Sequence, residues 1–476
     1  MNINIVYEYK QIYKKCIIPV CNNQFESAFL KKMTSENTPH HIIIVGGGAG
    51  GMELATGLGD KLGKTGKARV TLVDCNRTHI WKPLLHEIAA GSLNSSDDEV
   101  SYMAQAYWHN FRFRLGRMDR LDRARQEISL APTLDDDGNE YIPRRNFHYD
   151  TLIIAVGSVA NDFGIEGVNE FCQFLDTRQE ADRFHQLLLR KYTAAQTQKE
   201  PLRPGQLHIA IAGAGATGIE LSAELHEATR QLVEFGLDRI SPEKDVRITI
   251  VEAAPRILPA LPDRLSGNTE NALRKLNINL ITGQRIVKAT ADGFYTEDGT
   301  FIPAEIKVWA AGIMAPSLLK DLDGLETNRS NQLVVKTSLQ TTRDENIFAF
   351  GDCAACPLEG EEGKTVPPRA QASHQQASLL VKTMQRRLAC KPLPVYRYVD
   401  YGSLVNMSRY STVGNLMGNL AGKISGNVMI EGVIARLVYM SLYKMHQLAL
   451  HGFFRVALIT FANMLTRKAR PRMKLH

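Results

Sequence analysis

Hydrophobic positions along this chain cluster in short unbroken runs, and one arrangement of run, turn and helix occurs twice. "HIIIVGGGAGGMELA" (41–55) takes four consecutive apolar residues into a glycine-rich turn and then into small and apolar residues at helical spacing. "HIAIAGAGATGIELSAEL" (208–225) repeats the order. A continuous apolar run is what a strand buried on both faces requires, and the periodic stretch after each turn suits a helix packed on it. The pattern predicts strands over Ile42–Val45 and Leu207–Ala212. Each unit adds a second strand that ends on an acid: "VTLVD" at Asp74 and "VRITIVE" at Glu252. Shorter runs, "YDTLIIAVGS" (149–158), "IKVWAAGI" (306–313) and "NIFAFGD" (346–352), predict strands that end near Gly157, Gly312 and Asp352. Strands alternating with helices in this way predict an α/β fold with two Rossmann-like sheets.

The turns carry the first chemistry. Gly46, Gly48 and Gly51 stand at GxGxxG spacing, and Gly213, Gly215 and Gly218 repeat it. Such glycines let the backbone approach a pyrophosphate at a helix N-terminus, while the acid one strand later accepts from a ribose hydroxyl. Asp74 and Glu252 are the candidate ribose acids. A carboxylate at Glu252 favours NADH over NADPH, because a 2′-phosphate would meet like charge. Asp352, just past a strand end, is placed to bind a ribityl or ribose hydroxyl. Two units imply two dinucleotides.

Seven scattered cysteines include no CxxxxC pair after the first acid. The CxxC pair, Cys353 and Cys356, follows Asp352 directly. At a helix start its thiolates would be favoured, so structural, dithiol and thiophilic-metal roles all stand, although no further ligands at metal spacing accompany it and no metal site is expected. In "VPPRAQASHQQAS" (366–378) the paired prolines suit the lead-in to a helix that sets Gln371 and Gln375 on one face. That face is either an ordinary polar surface or a donor pair for a carbonyl-bearing acceptor.

Net charge is +7, and it is localised: eight basic residues and no acidic one follow Glu431. Residues 431–465 are apolar but interrupted by charge, so a spanning helix is not expected. On a helical wheel Arg436, Lys444, Gln447 and His451 share one arc, which suits either core packing or a helix lying in a membrane interface. Removal of 431–476 is expected to leave the nucleotide units folded. Residues 1–38 have no glycine motif or clear period and read as an extension outside the core.

The order glycine turn, "AVGS", glycine turn, "AAGI", "FGD" resembles the flavoproteins with two dinucleotide-binding domains. "WKPLLHE", "FGDCAACP", "VPPRAQASHQQAS", "STVGNLMGNL" and the ending "RPRMKLH" together resemble the type II NADH:quinone oxidoreductases, the non-proton-pumping NADH dehydrogenases of bacterial membranes. The resemblance implies FAD on Gly46, Gly48, Gly51, Asp74, Gly157, Asp352 and the Lys82 segment. It implies NADH on Gly213, Gly215, Gly218, Glu252 and Gly312, and a membrane quinone at Gln371 and Gln375. It sets Glu220 at the nicotinamide–flavin junction as a proton relay, where the residues alone also allow a dipole-stabilised carboxylate. The implied organisation is a first FAD part over 39–160, an NADH part over 161–317, a second FAD part with the quinone motif over 318–395 and an anchoring region over 396–476. The expected setting is the cytoplasmic face of a bacterial plasma membrane, held through anionic phospholipid and without nucleic acid; a homodimer stays open. The alternatives are a soluble reductase of a thiol or protein acceptor and a redox-sensing nucleic-acid binder.

Overall fold

The first apolar run forms β1 (His40–Val45), buried from Ile42 onward, and turns through its glycines into α1 (Ala49–Leu58). The structure is a computed structural model, and it describes residues 39–94, 99–135, 137–408, 410–416 and 428–466. The extension over 1–38 and the basic end over 467–476 lie outside the described residues. After α1 come β2 (Ala68–Asp74), α2 (Leu85–Ala90), α3 (Tyr102–Trp108), β3 (Arg112–Leu115) and β4 (Thr151–Ile154). A capping box of Thr177 and Glu180 opens α4 (Arg178–Thr197). The second unit then supplies β5 (His208–Ala212), α5 (Ala216–Glu234), β6 (Arg247–Glu252), β7 (Asn279–Thr282) and β8 (Ile306–Trp309). After it come β9 (Ile347–Ala349), α6 (Ala370–Leu388), β10 (Gly402–Met407), β11 (Ser411–Leu416), β12 (Val428–Glu431) and α7 (Gly432–Thr466).

Two sheets organise these elements. The first runs β9-β4-β1-β2-β3, with parallel registers Ile42↔Thr151, Leu152↔Ile347 and Thr71↔Arg112. The second runs β7-β6-β5-β8, with parallel registers Thr249↔Asn279, His208↔Arg247 and Ile209↔Ile306. The chain therefore leaves the first sheet after β4, builds the second, and returns with β9. Both sheets have the α/β form that the sequence predicts. The strand expected from Leu207 begins one residue later, because Leu207 takes a left-handed φ of 59° that no strand residue adopts. The strand expected to run to Gly157 stops at Ile154, opposite the last residue of β1.

The third glycine of each motif has a packing cause. A Cβ on Gly51 would stand 1.9 Å from the Gly46 carbonyl oxygen, and one on Gly218 would stand 2.0 Å from that of Gly213. Both helices thus lie closer to their strands than any other residue permits. At Gly48 and Gly215 a Cβ would meet open space, which is where a ligand can approach the backbone.

The C-terminal segment is more than an appended tail. Helix α7 breaks at Gly452, whose φ of 71° and ψ of 169° are not helical, so the uniform helix expected over 431–465 is two pieces. Ala435, His446, Leu450 and Val456 form a buried seam along it. Trp81 stacks on Tyr443 and His446, and the Gln105 amide donates to the Leu450 carbonyl at 2.5 Å. His79 and His446 meet Nε2 to Nε2 at 2.9 Å. His79 Nδ1 lies 2.9 Å from the Gly47 carbonyl, so that nitrogen carries the proton. His79 Nε2 must then accept from His446 Nε2–H. Stripping away 431–476 would uncover this seam, so the removal is not neutral for the first unit.

Burial holds His79 down to about 4 and His446 down to about 2, with His374 and His451 adding repulsion against a charged ring. An undocked imidazole titrates at about 6.5. The docked, neutral pair is therefore fully stabilising above pH 6.5 and loses ground as pH falls from about 6.5 toward 4, where only the undocked rings take up protons. Limited proteolysis of α7 should accelerate over that window. His446→Phe should flatten the dependence, and a pH-independent cleavage rate in the parent protein would show that the histidines do not hold the helix.

Candidate functional site

Asp74 ends β2 and accepts from the backbone N–H groups of Gly47 and Asn76, both at 2.7 Å. Glu252 ends β6 and repeats the geometry, accepting from Ala214 N–H at 2.7 Å and Ala254 N–H at 2.9 Å. Burial raises the Asp74 pKa, opposed by those donors. In each unit the acid pins the glycine loop and lies where a ribose hydroxyl can compete for it.

A cavity of about 930 Å³ opens beside the first loop. Gly46, Gly48, Gly51, Asp74, Gly157 and Asp352 line one part of it. Glu220, Gly312, Leu404, Tyr439 and Leu442 line another, with Lys82, Trp81 and His86 along the wall. Gly213, Gly215, Gly218 and Glu252 lie outside this lining, at the mirrored turn of the second unit; Ala216 and Thr217, the first turn of α5, do reach it.

A polar chain crosses the cavity mouth. The Lys82 ammonium donates to the Ser158 carbonyl and the Asp176 carboxylate, each at 2.9 Å. The Ser158 hydroxyl donates to Asp352 at 2.8 Å, and Ala160 N–H donates to the other Asp176 oxygen at 2.6 Å. Sequence reading had Lys82 and Asp352 but missed Ser158 and Asp176. The capping-box signature "TRQE" directly after Asp176 was the available signal.

Gln371 and Gln375 occupy the first turns of α6, as expected, but their amides point at the chain rather than into the cavity. The Gln371 Nε2 group donates to Asp400 Oδ1 and the Gly402 carbonyl, both at 3.1 Å, and its Oε1 accepts from Tyr401 N–H at 2.9 Å. Gln375 donates to the Val399 carbonyl at 2.7 Å and accepts from Val399 N–H at 3.0 Å. Arg369 adds an ion pair to Asp400 at 3.0 Å. In this arrangement the pair clamps residues 399–402; the cavity-facing residues of the same segment are Arg369, Ala370 and Ser373. Extended chain beside a helix offers backbone partners that no side-chain spacing reveals.

Glu220 is buried, and burial raises its pKa to about 8 against an Asn406 N–H that donates to it at 3.0 Å. Desolvation thus outweighs the helix dipole. His86 Nδ1 lies 3.8 Å from the second Glu220 oxygen, yet burial lowers His86 to about 4. At neutral pH the two are a neutral acid beside a neutral imidazole, not an ion pair.

Cys353 ends a short 3-10 turn and a two-residue strand follows it, so no helix N-terminus serves the pair. Both thiols are buried, and burial pushes them up to about 11 and about 12. They stay protonated near neutrality, which suits packing and not thiolate chemistry. Among the described residues no His, Cys, Asp or Glu group is arranged to hold a metal ion.

The pyridine nucleotide-disulphide oxidoreductase family matches residues 40–377. The type II NADH:quinone oxidoreductase of Haemophilus influenzae is 43% identical over 448 residues, covering 92% of this chain and all of that protein. The Staphylococcus aureus protein of the same name is 29% identical over 380 residues, covering 78% and 89%. Among solved structures, NDH2 from Plasmodium falciparum in complex with NADH superposes with a TM-score of 0.75 at 20% identity, over 91% of this chain and 100% of that one. The sulfide:quinone oxidoreductase of Aquifex aeolicus follows the same fold at a TM-score of 0.67 and 17% identity, over 91% and 96%. The nested pair of glycine units and the high identity along nearly the whole length make one conclusion: the chain belongs to the type II NADH:quinone oxidoreductases.

Proposed function

We propose that the 930 Å³ cavity holds FAD and that NADH lies across the second glycine loop, so that the two meet near Glu220. The observation that carries this reading is the reach of the cavity, from Asp74 in the first unit to the first turn of α5 in the second. Its residues fit the group. Gly48 leaves open space for a pyrophosphate, Asp74 and Asp352 offer carboxylates to hydroxyls, and the Trp81 indole N–H is buried without a partner among the described residues. When bound, FAD supplies acceptance of hydride from NADH and delivery of two electrons to the quinone. The chain itself supplies position and charge. Lys82, tied to Asp176, brings a cation to the mouth; Glu252 selects the unphosphorylated ribose; α6 with its clamped 399–402 segment forms a wall of the acceptor site. An absorbance spectrum titrated with NADH and then with a quinone tests the reading. A flavin that NADH bleaches and quinone does not restore would sink it.

We infer that the enzyme acts as a peripheral protein on an anionic membrane, at the cytoplasmic face of a bacterial plasma membrane. Among the described residues no helix is long and apolar enough to cross a membrane. The outer side of α7 carries exposed Leu437, Met445, Phe453, Phe454 and Leu458. Met103, Tyr107 and Trp108 of α3 extend that surface, and the Arg455 guanidinium lies 4.4 Å over the Trp108 ring. Apolar side chains beside arginine and indole suit an interfacial helix pair. The contribution of α3 was not legible, because its seven residues show no basic face.

Glu252→Arg should raise the KM for NADH and improve use of NADPH, since the carboxylate that repels a 2′-phosphate becomes a cation that meets it. Unchanged cofactor preference in steady-state kinetics would remove Glu252 from that role.

Gln371→Ala should loosen residues 399–402 and slow quinone reduction while NADH still bleaches the flavin at the parent rate. Stopped-flow measurement of each half-reaction separates the two, and a defect confined to NADH oxidation would contradict the assignment.

In membrane pelleting, high salt should weaken attachment without releasing the enzyme, and detergent should extract it. Each buried large apolar side chain contributes roughly 1.5–3 kcal/mol and each basic residue near the leaflet about 1 kcal/mol. Complete release by salt alone would reduce the contact to electrostatics.

A further inference from the structure

Oxidation of NADH releases two electrons and one proton, whereas reduction of a quinone to its quinol consumes two electrons and two protons. One proton per turnover must therefore come from water. Helix α5 carries a row of acids suited to that need. Glu220 and Glu224, four residues apart and so one above the other, are both buried. Glu220 lines the cavity. Glu224 accepts from the Ser92 hydroxyl at 2.9 Å, and Ser92 is exposed.

Four elements enclose the pair. Helix α2 brings His86 and Glu87, β10 brings Asn406, α7 brings Arg436 and Tyr439, and α5 adds Glu227, which accepts from the Tyr410 hydroxyl at 2.9 Å. His86 is 3% exposed, and its Nε2 has no hydrogen-bond partner among the described residues, facing Glu87 at 4.0 Å. The Tyr439 hydroxyl is likewise buried without a hydrogen bond. It lines the same cavity as Glu220. Burial and the neighbouring acids raise Glu220, to about 8, and raise Glu224 as well.

We propose that Glu224 is the inlet that carries a proton from water at Ser92 to Glu220 and on to the quinone. The proposal rests on the NADH:quinone reading above. As the quinone gains its electrons, the Glu220 O–H bond breaks and a quinol O–H bond forms. The Glu220 carboxylate then takes a proton from the Glu224 carboxyl one helical turn away. Water at Ser92 reprotonates Glu224, so every group returns to its starting state.

The test uses the holoenzyme with Glu224→Gln, close in shape to the parent side chain. Turnover is measured with quinone in H2O and D2O and with ferricyanide, which takes electrons and no protons. Quinone turnover should fall about tenfold, with a larger solvent isotope effect, while ferricyanide turnover is retained. The proposal is overturned if quinone turnover is unchanged, or if both acceptors slow together, since that pattern marks structural damage. A parent enzyme that reduces ferricyanide but no quinone would instead remove the underlying reading.

Discussion

A carboxylate at the end of a fully buried strand has to find its donors in the backbone next to it, and both halves of this protein are built on that constraint. Asp74 and Glu252 each follow four buried strand residues and each accept from two N–H groups, one in the glycine loop and one two residues further on. The loop is thereby held open at the helix N-terminus, where Gly48 and Gly215 leave room for a ligand. Replacing those donors by ribose hydroxyls costs the acid little, because one charge-assisted bond is exchanged for another. The same clamp thus shapes the loop and receives the nucleotide.

Helix α7 links that nucleotide-binding core to the surface proposed to meet the membrane. Its inner seam is fixed by His446 on His79 and by Leu450 on Gln105, and its Tyr439 and Leu442 line the cavity. Its outer side carries the exposed phenylalanines and leucines. One element therefore lines the cavity and offers the apolar surface, and under the proposed attachment a lipid-dissolved acceptor would have a short route from leaflet to cavity. An isolated anchor would not need a buried histidine pair.

Much of this was legible because the signals were local. Buried parallel strands need unbroken apolar runs, glycine loops need glycines at fixed offsets, and the strand-end acids follow at fixed distance. Gly51 and Gly218 could be assigned from spacing alone, and the structure supplies the reason in the carbonyls of Gly46 and Gly213. The contacts that escaped sequence reading join distant segments. Lys82 meets Asp176, His79 meets His446, and Gln371 turns to Asp400. No periodicity encodes which side chain will face a returning stretch of backbone, and so the glutamines' helix was legible while the partners of their amides were not. Glu220 shows the same limit differently. Its place in the first turns of a helix suggests a lowered pKa, and only the elements packed around it reveal that burial reverses the sign.

That reversal bears on how the site divides its labour. Burial raises both acids, but Asp74 has two short backbone donors opposing it, whereas Glu220 has one and a neutral His86 at 3.8 Å. The number of opposing donors distinguishes the two sites. A carboxyl fixed by two or three N–H groups has little reason to carry a proton, and one short of donors keeps it until a stronger base appears. Quinone oxygen becomes such a base only as it gains electrons. An acid in the position of Glu220 would therefore deliver its proton in step with electron transfer.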